Sequence, residues 1–175
     1  MDNDKDIKQQ SIERRREQLT LNSMRIIDIA DNEPHSALKC IHQLSVAGGA
    51  TTATYRAIER RIIADQDVAG AYHLALLAQS TPDLPIDVRQ LIELVVEKGD
   101  NPQRLALLKN LPHPPVERIK SQILMSDDSD AIGQMNAYLQ MNPQGYGSQH
   151  VLSAQPDYVA PMSTGFESRE DNNAF

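Results

Sequence analysis

The residues best suited to metal chemistry fall in one short stretch, which contains His35, Cys40 and His42. Imidazole and thiolate are the ligands that zinc prefers, but a zinc site normally takes four of them. On a helix, side chains five and two positions apart point to different faces, because neighbours are three or four apart. We therefore predict that Cys40 is a small core residue, that the histidines lie at the surface or in a groove, and that the chain binds no metal.

A second group of candidate ligands is the acidic turn formed by Asp127, Asp128 and Asp130. Calcium takes carboxylate oxygens, but the EF-hand loop also needs its glycine and its terminal glutamate, and that pattern is missing here. Asp is also a favoured residue at the start of a helix, because its carboxylate accepts a backbone N–H. We predict that this turn caps the last helix.

Three consecutive arginines, Arg14, Arg15 and Arg16, are the residues that suggest nucleic-acid binding. Their guanidinium groups are suited to phosphate contacts on DNA or RNA. Acidic residues lie among them, however, and the net charge of −7 argues against a strong positive surface. The sequence favours a solvated helix face and makes a nucleic-acid partner an alternative that a salt titration distinguishes.

Motifs of known catalytic chemistry are absent from the sequence. It has no Gly-rich phosphate loop, no GxSxG elbow, no HExxH and no CxxC. We predict a protein that is not an enzyme and has no cofactor; an enzyme whose site is invisible in the sequence is a second alternative.

One pattern recurs four times and is centred on an aspartate. Two apolar residues stand five and four positions before the aspartate, and another stands seven positions after it. The pairs and their aspartates are Ile26-Ile27 with Asp31, Ile62-Ile63 with Asp67, Val95-Val96 with Asp100, and Ile123-Leu124 with Asp128; the later residues are Leu38, Leu74, Leu107 and Met135. Apolar spacings of three and four predict a helix on each side of a tight turn.

The distances between these aspartates are 36, 33 and 28 residues, a period typical of helical-hairpin arrays. Gly48-Gly49, STPDLP and LPHPP separate one hairpin from the next. We predict an all-α fold of about eight helices, arranged as four consecutive antiparallel hairpins in a short α-solenoid or an irregular helical bundle. Pro34 is expected in the first turn of the second helix.

The repeats resemble the broad class of short α-helical hairpin scaffolds to which HEAT and tetratricopeptide proteins belong. The resemblance covers about residues 19 to 140, without the Trp-Leu-Gly-Tyr series of the tetratricopeptide repeat. It implies a binding scaffold whose stacked helices offer a long groove.

The two ends of the chain differ in character from its centre. Residues 1–18 are densely charged and predict a helical extension whose first turns lie in solvent, before a repeat domain at residues 19–140. Residues 141–175 have no helical periodicity and predict a disordered or extended tail. This tail carries four of the seven aromatic residues, and we expect them to anchor it to another surface, the alternative being an inert tail with scattered aromatic residues: Tyr146, Tyr158, Phe166 and Phe175.

The sequence therefore favours a non-catalytic protein–protein interaction adaptor, or a structural component of a larger assembly, whose partners are proteins, including other copies of itself. A single cysteine, the lack of an apolar leader and the lack of an 18-residue apolar run predict a cytoplasmic protein, or one inside a macromolecular particle such as a virion, without membrane contact.

Overall fold

The computed structural model describes residues 3–143, which form eight α-helices and no β-strand. This confirms the predicted all-α class, and the helical packing fits a bundle. The helices are α1 (Asn3–Asn32), α2 (Ala37–Ala47), α3 (Thr52–Asp65), α4 (Val68–Ser80), α5 (Val88–Lys98), α6 (Asn101–Asn110), α7 (Val116–Met125) and α8 (Ser129–Met141). None of the helices in this range is both long enough and apolar enough to cross a membrane.

Three of the four turn aspartates begin the helix that follows them. The Asp67 carboxylate accepts the Gly70 N–H at 2.9 Å. Asp100 accepts the Gln103 N–H at 2.8 Å, and the Gln103 side chain accepts the Asp100 N–H at 2.9 Å, which completes a capping box. The predicted capping of the last helix is confirmed for Asp128, whose carboxylate accepts the N–H of Ala131 at 3.1 Å.

The first hairpin departs from this pattern. Helix α1 continues through Asp31, and α2 begins only after Ser36, so Pro34 lies in the turn and not in the first helical turn. Helix α2 starts six residues after Asp31, whereas the second helix of each other hairpin starts one residue after its aspartate. The side chains of α2 therefore point in different directions from those at the same repeat positions in the other hairpins. Leu38 is consequently 42 % exposed, whereas its counterparts Leu74, Leu107 and Met135 are fully buried.

The core is built from the apolar residues that precede each turn. The first members of the predicted pairs are all buried: Ile26, Ile62, Val95 and Ile123. Each hairpin packs on the next: α1 and α2 contact α3 and α4, α4 contacts α5 and α6, and α5 and α6 contact α7. The chain divides into two compact units, Met1–Met135 and Asn136–Phe175, and the packing described here belongs to the first.

Helix α1 is exposed over its N-terminal half and buried near its C-terminal end. Every side chain from residue 5 to residue 18 is exposed, whereas Ser23, Ile26 and Ala30 of the same helix are buried. The last turns of α1 therefore join the core and its first turns lie in solvent.

Candidate binding groove

A concave groove of about 580 Å³ lies between α2 and α4. Helix α2 contributes Leu38, Ile41, His42 and Ser45, which lie on one face because their spacing is that of neighbouring helical turns. Helix α4 contributes His73 and Leu77, also one turn apart, together with Thr81 just after the helix. We call this surface the α2–α4 groove.

The chemistry of the α2–α4 groove is apolar and uncharged. Leu44 is buried in it, and Ile41 and Leu77 are half-buried. Among residues 3–143, no Asp, Glu, Lys or Arg side chain lines it. Its polar groups are the two exposed imidazoles of His42 and His73, hydroxyl groups that include the Tyr55 phenol, and the backbone. Such a surface offers burial for apolar side chains and a few hydrogen-bond partners to orient them.

Small residues hold the two walls of the groove together. Gly70 on α4 is buried, and a Cβ atom at this position would lie 3.0 Å from the Cβ of Ala37 on α2. The absence of a side chain at Gly70 therefore allows α2 and α4 to approach each other closely. At the other end, Gly48 stops α2 with a φ of 73°, the left-handed conformation that glycine adopts without strain.

A related surface lies between α6 and α8, with a volume of about 480 Å³. It differs in chemistry, because Lys109, Asp128 and Asp130 line it alongside apolar residues. Between the two grooves, the Asn110 amide on α6 donates a hydrogen bond of 2.8 Å to the Tyr72 hydroxyl on α4. The second helices of the hairpins therefore carry an apolar groove and a charged one.

Polar networks fix the turns within the hairpins. Arg61 donates to the carbonyl oxygens of Ala30 at 2.6 Å and Asp31 at 2.9 Å, and so satisfies the end of α1. Its partner Asp65 also accepts the His35 N–H at 2.6 Å. This backbone hydrogen bond, followed by the bond and charge of Arg61, lowers the pKa of Asp65.

The third and fourth hairpins are joined in a similar way. The buried Asn101 amide donates to the Ser126 hydroxyl at 2.7 Å and to the Asp128 carboxylate at 3.0 Å. Arg104 donates to the Val96 carbonyl at 2.8 Å and to the Asn101 side chain at 3.1 Å. The hydrogen bond from Asn101 and those from the backbone at Ala131 and Asp130 lower the pKa of Asp128.

The candidate metal ligands of the sequence lie in three different environments. His35 is in the turn after α1, with a φ of 57°. Cys40 is fully buried, as predicted; its thiol lies 3.8 Å from the Ile26 carbonyl oxygen, and burial raises its pKa. His42 lines the α2–α4 groove. In the described part of the chain, no group of three or more His, Cys, Asp or Glu is arranged to hold a metal ion.

The candidate phosphate contacts do not form one surface. Arg14, Arg15 and Arg16 are all exposed on α1, and successive residues of a helix are about 100° apart around its axis. The three side chains therefore spread over more than half of the helix circumference. The four proposed tail anchors, Tyr146, Tyr158, Phe166 and Phe175, lie outside the described residues.

The sequence reasoning did not find the α2–α4 groove, although a signal for it exists. Residues 40–55 and 68–82 contain no Asp, Glu, Lys or Arg, in a chain that is 23 % charged. All residues that line the groove, except Leu38, belong to these two stretches. A surface helix normally has an apolar face toward the core and charged residues on the opposite face. A helix without charged residues lacks that charged face, which indicates that the side away from the core also forms an apolar surface.

Comparisons of the chain with protein-family models, with curated proteins and with solved structures found no match. Over the described residues, the fold and the pockets define an all-helical protein with a largely apolar groove between α2 and α4.

Proposed function

We propose that this protein is a non-catalytic protein–protein interaction adaptor or a structural component of a larger assembly. The observation that carries the proposal is the uncharged α2–α4 groove, which leaves Leu38, 42 % exposed, beside the half-buried Ile41 and Leu77. Apolar side chains on a surface are common singly, but a lined concave group of them is typical of a binding site.

The shape of the groove suits a segment of polypeptide. Two helices form its walls, and grooves of this kind accept an apolar side chain at each turn of a bound peptide. Its volume of about 580 Å³ falls in the range that accommodates a few side chains and not a folded domain. The partner would therefore present a short apolar segment, and not a flat folded surface.

The C-terminal tail supplies the second contact in this proposal. Tyr146, Tyr158, Phe166 and Phe175 give it more than half of the aromatic residues of the chain. Aromatic side chains bury large areas at interfaces, which makes them effective anchors on a partner or on a neighbouring copy. We propose that the body binds through its grooves while the tail binds another molecule.

The arrangement of titratable groups supports a binding role and not a catalytic one. A catalytic histidine is normally oriented by a third group, most often a carboxylate. Within residues 3–143, no ion pair involves a histidine, so neither His42 nor His73 has a carboxylate beside its ring.

The single buried thiol suits a reducing compartment, and we propose the cytoplasm or the interior of a macromolecular particle.

Light scattering coupled to size exclusion tests this function on the full-length chain and on a variant that lacks residues 141–175. We expect the full-length chain to form assemblies whose mass rises with concentration, and the truncated chain to be a monomer. Circular dichroism should show the helicity and the melting temperature of the body unchanged. An equal oligomer size for both chains would contradict the role of the tail in assembly.

A further inference from the structure

The α2–α4 groove constrains the chemistry of its occupant. The described residues that line it include no charged side chain, so a charged group that entered it would lose hydration without gaining an ion pair from them. The occupant must therefore be uncharged over the length of the groove. Exposed or half-buried Leu38, Ile41 and Leu77 would gain burial from apolar side chains of that occupant.

The chain itself contains a segment with these properties outside the described residues. Only one other stretch of fifteen or more residues lacks Asp, Glu, Lys and Arg, and it runs from residue 131 to residue 156. Its second part, residues 144–156, follows the described body and carries Tyr146, Val151 and Leu152. Residues 157–175, in contrast, contain four acidic residues and one basic residue.

We propose that the α2–α4 groove binds residues 144–156 of a second copy of this chain. The inference rests on the proposed function and names the site and the segment through which copies assemble. The 32 residues after residue 143 span at most roughly 110 Å when extended, which is ample reach to a neighbouring molecule.

The contact is heterologous, because each copy offers one groove and one segment. A copy that binds its neighbour through the groove still has a free segment for the next copy. Copies therefore continue to add until a ring closes or an open row of copies ends. A variant that lacks either the groove or the segment stops further addition.

Two exposed leucines make a matched pair of variants in the full-length chain. Leu38 lies in the groove and is 42 % exposed, whereas Leu124 on α7 is 45 % exposed and does not line it. Leu38→Gln and Leu124→Gln each replace an exposed apolar side chain by a polar amide. Both have little effect on helix propensity. A third variant replaces Tyr146, Val151 and Leu152 together by Ser.

Sedimentation velocity over a concentration series measures the self-association of each variant. We expect Leu38→Gln and the triple serine variant to weaken it by about tenfold or more, because each removes apolar burial from the contact. Leu124→Gln should associate like the wild type. Circular dichroism confirms that each variant keeps the helicity of the wild type.

Mixing the two defective variants is the decisive experiment. The Leu38→Gln chain has an intact segment, and the triple serine chain has an intact groove, so the mixture should form a dimer of one copy of each. The inference is overturned if the mixture stays monomeric, if Leu38→Gln associates like the wild type, or if the triple serine variant does.

Failure of this inference is distinguishable from failure of the proposed function. Wild-type association that survives Leu38→Gln but disappears on deletion of residues 141–175 rejects the groove and retains assembly through the tail. A wild-type chain that is monomeric at every concentration rejects self-assembly, and this inference with it.

Discussion

Asp65, the last residue of α3, joins that helix to the turn before α2 through its carboxylate. It accepts the N–H of His35, whose φ of 57° is uncommon for a residue with a side chain, and it forms an ion pair of 3.2 Å with Arg61. Both side chains of this pair are largely buried, with 10 % of Asp65 and 18 % of Arg61 exposed. The side chains of Asp65 and Arg61 thus fix the turn before α2. This turn determines where α2 begins and, with it, where the groove lies.

The lowered pKa of Asp65 predicts the pH dependence of this link. The carboxyl titrates below its ordinary value of 3.8 in the folded protein, so the charged form stabilises the fold above that pH. The contribution is lost as pH falls through the folded pKa. Urea unfolding should therefore show Asp65→Asn destabilised at pH 7, with the difference from wild type shrinking as pH falls below about 4.

Asp6→Asn is the control for this titration, because Asp6 lies on the exposed extension of α1. It should have the unfolding free energy of the wild type at every pH. A difference between Asp65→Asn and wild type that is equal at pH 7 and pH 3 would contradict the assignment of the link to the charged carboxylate.

At the scale of helices, the contact between α2 and α4 depends on the absence of a side chain. A Cβ at Gly70 would meet the Asp67 carboxylate at 2.8 Å as well as Ala37 at 3.0 Å, and both neighbours are held in place by the capped turn and the core. Gly133 on α8 has no such neighbour, since a Cβ there would meet nothing within 4 Å.

The same substitution should therefore have opposite effects at these two positions. Gly70→Ala is expected to lower the unfolding free energy by about 1–3 kcal/mol, because steric strain exceeds the gain in helix propensity. Gly133→Ala is expected to raise it by about 0.5–1 kcal/mol, because propensity acts alone. Chemical denaturation measures both, and a stabilised Gly70→Ala protein would show that α2 and α4 are not in close contact.

The helices show which features of the fold can be predicted from sequence. The starts of α4, α6 and α8 could be predicted, because a capping aspartate acts within its own turn. The start of α2 could not, because the carbonyl groups before it are bound by Arg61, about thirty residues away in the chain. The exposure of Leu38 follows from that long-range contact.

The candidate site was predictable only in part. The sequence placed His35 and His42 at the surface or in a groove, and His42 does line the α2–α4 groove. It did not predict which helices form the groove, because that depends on the separation of α2 and α4 and not on local pattern. Charge-free stretches at 40–55 and 68–82 identify the walls once the packing is known.

At the scale of the whole molecule, charge is distributed unevenly. The chain has a net charge of −7, yet no charged side chain of the described residues lines the α2–α4 groove. The exposed segment 5–18 has five basic residues against three acidic ones. A negative net charge keeps copies apart in general. The association that we propose, through an uncharged groove and an uncharged segment, would therefore limit contact between copies to one pair of surfaces.

Photochemical crosslinking within the assembled protein tests the central claim most directly. A photoreactive phenylalanine derivative replaces Ser45, which is exposed in the groove, and the same derivative at Met125, which is 76 % exposed on α7, is the control. The protein is assembled from an equal mixture of unlabelled and ¹⁵N-labelled chains, irradiated, and analysed by mass spectrometry. We predict that position 45 crosslinks to residues 144–156 of the other isotopic form and that position 125 does not. Crosslinks from position 45 to any other segment, or only within one chain, would contradict the account.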